Sequence, residues 1–267
     1  MRRWATLGAM VVILLVLLNL GEYSFVLSQR AAFAYWDWRF RAYPVISGQG
    51  YQFRLSPSMT DSQGDLVALA DEYMAWLDEY FGFSPPRPRI IATDFASLNR
   101  VIGGQYSLET SGAYQAGVVI VGFRQQPTRQ EVAASALLHE LGHHYVHYLA
   151  RGNYPIWYSE GVTQLVELRL LGYRWFDGIG KYDYYMYSIL EINNSFHSLH
   201  DQVSAYKQAL ELAILMEELG GVHAHRNILQ ALGKGMPFGA ALEMVTGLTQ
   251  EELFAAWSGA KNSEGAK

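Results

Sequence analysis

The chain has 267 residues, half of them hydrophobic, with 18 Tyr, 12 Phe and 7 Trp; that is ample for one sizeable core and too apolar for a disordered chain. Its formal charge of −5 leaves no basic footprint for nucleic acid. The absence of cysteine excludes disulfides, thiolate metal ligands and a cysteine nucleophile.

Arg2 and Arg3 precede an apolar run from Trp4 to Leu20. At helical rise this run spans about 25 Å, close to the thickness of a bilayer's hydrocarbon core. Residues 1–28 therefore read as a signal anchor, one transmembrane helix with the arginine pair on the cytoplasmic side. A cleaved signal peptide is the rival reading, but the obvious small-x-small site, Ala32-Phe33-Ala34, lies well beyond the apolar core. Either way the rest of the chain is exported, which in a bacterium places it on the periplasmic side of the inner membrane. Residues 29–50 then form a juxtamembrane segment and linker. The stretch from Tyr35 to Tyr43 is dense in aromatics and arginine, which suits a headgroup layer and equally suits a helix packed on the domain. Pro44 and Gly48-Gln49-Gly50 read as the linker.

Residues 51–260 read as one domain, followed by a polar tail over 261–267. Tyr51 to Leu55 alternates like a short strand. From Asp65 to Phe81 apolar residues recur at helical spacing, and Gly82 and the Pro85-Pro86-Arg87-Pro88 cluster end that helix. Arg89 to Thr93 reads as a buried strand and Gly117 to Val121 as another; the latter is either an edge strand open to an extended peptide or a plain core strand. Thr128-Arg129-Gln130-Glu131 has the form of a capping box, which starts a helix running to Ala150. A second helix runs from Trp157 to Leu171 and stops at Gly172. Further helices are expected over Tyr182 to Ile192, Ala205 to Leu219, His223 to Leu232, Phe238 to Val245 and Gln250 to Ser258, punctuated by glycines. The elements add up to an α+β fold with a small mixed N-terminal sheet, an active-site helix and a helical C-terminal half, preceded by one N-terminal transmembrane helix.

The chemistry lies in His139-Glu140-Leu141-Gly142-His143. Histidines four apart on a helix stand one turn above each other, so both imidazoles reach one ion, and Glu140 places a carboxylate next to the water that ion holds. A third ligand is still needed. His147 cannot serve with His139, because eight residues of helix separate their backbones by about 12 Å. The position six residues after His143 is Leu149, so no third histidine follows on this stretch. A carboxylate from a following helix remains, and Glu160 is the first acid after Glu140.

Here the chain resembles the gluzincins, the thermolysin-like and peptidase-MA-like metallopeptidases, in which such a helix supplies two ligands and a downstream Glu followed by Gly supplies the third. Pro155-Ile156-Trp157-Tyr158-Ser159-Glu160-Gly161-Val162 is similar to that family segment, with 16 residues between His143 and Glu160, on the short side for the group. The helical tail beyond Tyr206 is similar too, so the resemblance covers Tyr51 to about Lys261. It implies a zincin-like domain with Zn2+ held by His139, His143 and Glu160, Glu140 as general base, and a peptide or protein substrate. It also implies a Tyr or His from the helical half as oxyanion donor, with Tyr206 the first choice among Tyr184, Tyr185, Tyr206 and His225. One departure stands out. Four residues after the third ligand, thermolysin-type enzymes carry an Asp that bonds a ligand histidine, and this chain has Gln164, with Glu167 on the next turn as the other candidate. The rival function is a catalytically inactive zincin-fold adaptor or scaffold of the cell envelope.

Overall fold

A computed structural model describes residues 25–48, 50–57, 63–102, 111–123, 130–177 and 185–264. The first element is a helix over residues 25–39 (α1). Then come β1 (Val45–Ser47), β2 (Gln52–Leu55), α2 (Gln63–Phe81), β3 (Arg89–Asp94), α3 (Phe95–Ile102), β4 (Gly112–Gln115), β5 (Val118–Phe123) and α4 (Gln130–Ala150). The helical half holds α5 (Ile156–Leu171), α6 (Ile189–Ser195), a 3-10 turn (Phe196–Ser198), α7 (Gln202–Gly220), α8 (Ala224–Gly233), α9 (Phe238–Thr246) and α10 (Gln250–Glu264).

The five strands form one mixed sheet in the order β1-β2-β3-β5-β4, antiparallel at both edges and parallel at the centre. β5 is apolar throughout and β3 over residues 90–92, as suits strands covered on both faces. Alternation along each strand divides them between two cores. Ile91, Val118 and Ile120 face Ala32 and Trp36 of α1, Phe40 just after it and Leu98 of α3. Ile90, Ala92, Val119 and Val121 face the opposite way, into the main core with Leu77, Leu137 and Leu141.

One expectation for the N-terminal region is corrected, and of the two readings of the aromatic segment the structure shows the helix packed on the domain. The transmembrane helix expected ahead of the domain is no part of the observed fold: among the described residues no helix is long and apolar enough to cross a membrane, and residues 1–24 lie outside them. The end of that expected span already belongs to α1, where the Phe25 ring stacks on His147 of α4 at 4.8 Å. The aromatic segment is a helix covering the sheet. Trp36 donates to Gln115 Oε1 at 2.8 Å, and Asp37 pairs with both Arg54 and Arg89. Tyr35 and Trp38 are its exposed aromatic residues. The expected linker contains edge strand β1.

Other differences are local. β5 is interior, between β3 and β4, so the sheet edge falls to β4. The capping box at Thr128-Arg129 lies outside the described residues, as does Tyr184. The helix expected from Tyr182 begins only at Ile189, where Ser188 and Glu191 form a capping box. Upstream of it, side chains of α7 capture the backbone: Tyr185 N–H donates to Ser204 Oγ at 2.8 Å, Tyr187 N–H to Gln208 Oε1 at 3.0 Å, and Gln208 Nε2 to the Tyr187 carbonyl at 2.8 Å. These bonds hold residues 185–187 out of the helix.

Close helix packing then fixes the site. Gly161 stands where α5 crosses α7, and a Cβ there would overlap the Ala209 carbonyl. The glycine after Glu160 thus lets α7 approach and sets the position of α5 beside α4.

Candidate metal centre

Three elements meet at the site. α4 presents His139, Glu140 and His143 from one face, α5 presents Glu160 and Glu167, and β4 closes one side. The cleft between them has a volume of about 510 Å³ and is walled on the far side by Tyr173, Trp175, His197 and Tyr206.

His139 Nε2 and His143 Nε2 lie 3.1 Å apart. Glu160 Oε2 is 3.2 Å from the first and 3.5 Å from the second. Donors at zinc-ligand distances in tetrahedral array are separated by about 3.3 Å, so this triangle already has the dimensions of one face of such a site. It is the one cluster of metal-ligating side chains among the described residues. The outward ring nitrogens are held away from it. His139 Nδ1 donates to Glu167 Oε2 at 2.8 Å, and the Ser135 hydroxyl donates to the other Glu167 oxygen. His143 Nδ1 lies 2.8 Å from Ser159 Oγ. A histidine protonated on Nδ1 turns a lone pair on Nε2 toward the centre, the tautomer a ligand needs.

The charges agree with a cation site. Glu160 and Glu167 are 7% and 4% exposed, and Glu140 is 7% exposed. Three buried carboxyls beside two imidazoles carry more negative charge than the imidazoles neutralise. Burial acts to raise the Glu160 pKa, but His143 and His139 outweigh it and hold the carboxyl well below its usual range. Burial likewise acts against a proton on His139, yet Glu167 and Glu160 pull that pKa well up. Glu140 behaves differently: desolvation dominates, against the two histidines, and lifts its carboxyl to about 7. Room for that carboxyl comes from Gly112 on β4, where a Cβ would sit 2.6 Å from Glu140 Cγ and 2.7 Å from Oε1. The donor set, its spacing and its charge fit a divalent ion held by His139, His143 and Glu160.

The structure separates the remaining candidates. Tyr206 lines the cleft with its ring against Phe196 and Trp175. His225 is buried in the helical core, its Nε2 donating to the Ala213 carbonyl at 3.0 Å and Tyr158 Oη 3.2 Å from its Nδ1. Tyr185 is exposed and packs on Tyr187 and His200. His144 donates from Nε2 to the Pro86 carbonyl at 2.8 Å. Gln164 touches neither ligand histidine. Its amide donates to the carbonyls of Glu160 (3.2 Å) and Tyr206 (2.9 Å) and accepts from Trp175 Nε1 (3.2 Å). The role open to Gln164 or Glu167 belongs to Glu167. Tyr154, Tyr173, Trp175 and the β4 residues carry no motif of their own, and only the fold brings them to the cleft.

No protein-family model and no curated protein matches the chain. Among solved structures, it is similar to aminopeptidase A of Legionella pneumophila, described in complex with aspartic acid, with 15% identity over 80% of this chain and a TM-score of 0.51. At that identity the likeness is one of fold. The chain spans 27% of that protein's length.

Proposed function

We propose that the chain is a zinc-dependent peptidase of the gluzincin type. The observation that supports this above all is the triangle of His139 Nε2, His143 Nε2 and Glu160 Oε2, with edges of 3.1, 3.2 and 3.5 Å, beside a buried carboxyl lifted to about 7. A zinc ion held there supplies Lewis acidity to a carbonyl oxygen and lowers the pKa of nearby water toward neutrality. Glu140, on the helix turn that carries both histidines and in the wall of the cleft, takes the proton of the attacking water and returns it to the leaving amine nitrogen. Tyr206, on the facing wall, is the donor to the oxygen on which negative charge develops. An extended peptide adds to β4, the sheet's edge among the described residues, whose Gly112, Ala113 and Tyr114 line the cleft. Likeness of fold to an aminopeptidase agrees with a peptide substrate. The adaptor reading leaves a buried carboxyl lifted to about 7 without a task.

The test is a pair of variants. His143→Ala should lose the bound zinc, whereas Glu140→Gln should keep it and lose hydrolysis of a peptide library. Equal zinc in the wild type and His143→Ala would overturn the ligand set, and undiminished hydrolysis by Glu140→Gln would overturn the role of the base.

A further inference from the structure

The ligand triangle lies halfway along the cleft rather than at one end of it. α4 and α5 run antiparallel side by side, pairing Ser135 with Glu167, His139 with Thr163 and His143 with Ser159. β4 runs in the direction of α4, with Gly112 against Glu140 and the Tyr114 ring stacked on His143 at 6.4 Å. The described walls continue past the triangle both ways. Toward the start of α4 they are Ser135, Tyr173 and Trp175. Trp175 is fixed there by its Nε1, which donates to Gln164 Oε1 at 3.2 Å, and by its edge contact with Tyr206. Toward the end of α4 they are Tyr114, Tyr154 and Ile156, with Tyr154 Oη 3.3 Å from His147 Nδ1.

From Ser135 to His147 α4 rises about 18 Å, roughly the length of five extended residues, and the two ligand histidines straddle the midpoint of that rise. β4 offers a chain of that form a template. The Ser111 carbonyl accepts from Gly122 N–H at 2.8 Å, so by alternation the N–H and C=O groups of Gly112 and Tyr114 point to the other side of the strand, the sheet edge among the described residues. Of the carboxyls in the cleft, Glu160 lies against both ligand histidines and Glu167 is taken by His139 and Ser135, so neither is left for a terminal ammonium. We propose that the substrate is an internal stretch of an extended polypeptide, bound through the cleft with residues on both sides of the bond that is cut, so that the chain acts as an endopeptidase. Water adds across that bond: its hydroxyl goes to the carbonyl carbon and its proton to the leaving amine nitrogen, which releases two peptides. The likeness to an aminopeptidase is one of fold and leaves the choice of bond to the cleft. The inference rests on the proposed peptidase reading.

The experiment gives the zinc-loaded full chain a set of peptides blocked at both ends, acetylated at the amine and amidated at the carboxyl, beside the same peptides unblocked, and identifies the products by mass. Both sets should be cut at the same internal bonds, with kcat/KM equal within about twofold. Binding is the second readout: calorimetry on Glu140→Gln, which should hold the peptides without cutting them, should give the same Kd for blocked and unblocked forms. Ile156 is 48% exposed, so Ile156→Ala leaves the core intact. It should lower kcat/KM about tenfold for peptides extended on both sides of the bond, and by less for peptides truncated on the side that Ile156 walls. An equal loss for both would overturn the two-sided cleft. Release of one residue at a time from a free end, with the blocked peptides left whole and unbound, would overturn the proposal and leave the peptidase reading standing. A zinc-loaded chain that hydrolyses none of the peptides would instead overturn the peptidase reading itself.

Discussion

Glu167 Oε2 lies 2.8 Å from Nδ1 of His139, on the opposite side of the ring from the nitrogen that faces Glu160 and His143. The carboxylate fixes both the ring's orientation and its tautomer, and raises the basicity of the nitrogen turned to the site. Replacing it with an amide keeps the shape and removes the charge. Glu167→Gln should therefore lower zinc affinity about tenfold, and Glu167→Ala up to about 100-fold. Chelator competition at fixed pH checks both, and an affinity unchanged in Glu167→Ala would remove Glu167 from the site.

Gln164 occupies the position at which thermolysin-type enzymes carry an acid, yet restoring one should do harm. Its amide nitrogen donates to the carbonyls of Glu160 and Tyr206, which can only accept. Gln164→Glu would face two buried carbonyls with a carboxylate and break the strut between α5 and α7, although Trp175 Nε1 would keep an acceptor. A loss of about 2–3 kcal/mol in unfolding free energy is expected, on the scale of a buried group left without partners. Urea denaturation measures it. Zinc affinity should not rise, because Glu167 already holds His139.

The contrast between these two residues shows what the sequence could carry. Glu160 and Glu167 are seven apart, two turns along one helical face, so the pairing with α4 was present in the spacing; Gln164 falls on the strip that turns to α7. The His139 and His143 pair was legible for the same reason, since helical periodicity alone brings them together. β3 and β5 were legible because strands covered on both faces are continuous apolar runs. β4, reading Gly-Ala-Tyr-Gln, has no such pattern and exists because β5 offers it a partner. In α1, rings and arginines suit a lipid surface as well as a sheet. In the fold Ala32, Trp36 and Phe40, spaced four by four, are the buried stripe, and composition alone does not mark it.

Stability should fall on mild acidification through His225. Burial, with Arg169 nearby, holds its pKa down to about 4, against about 6.5 in an unfolded chain, and the Ala213 carbonyl only partly opposes this. The unfolded chain binds the extra proton first. The contribution of the neutral histidine is therefore complete above about pH 6.5, declines below it, and is spent by about pH 4, for a total of about 3 kcal/mol. His144 and His147 are held at about 4 in the same way, so the wild-type slope has several sources. His225→Gln keeps a donor for Ala213 and removes one titrating group. Its unfolding free energy, measured from pH 8 to 4, should lose up to about 1.4 kcal/mol per pH unit of slope in that window. An unchanged slope would refute the assignment.

Gly112 offers a way to separate the proposed base from the proposed metal ligands. It belongs to β4, whereas the three proposed ligands belong to α4 and α5, so a change at Gly112 acts on Glu140 first. The Cβ of Gly112→Ala would sit 2.6 Å from Glu140 Cγ, too close for the carboxyl to stay in place, and the open direction is the cleft that Glu140 lines. Under the proposed mechanism the displaced carboxyl would lose its place beside the attacking water, and general-base catalysis worth about 10²–10⁴-fold in kcat would be lost. Zinc stoichiometry should stay at the wild-type value. Measured together, metal content and peptide turnover give a sharp outcome: a variant that holds zinc and turns over at the wild-type rate would mean that Glu140 does not need the space β4 leaves for it.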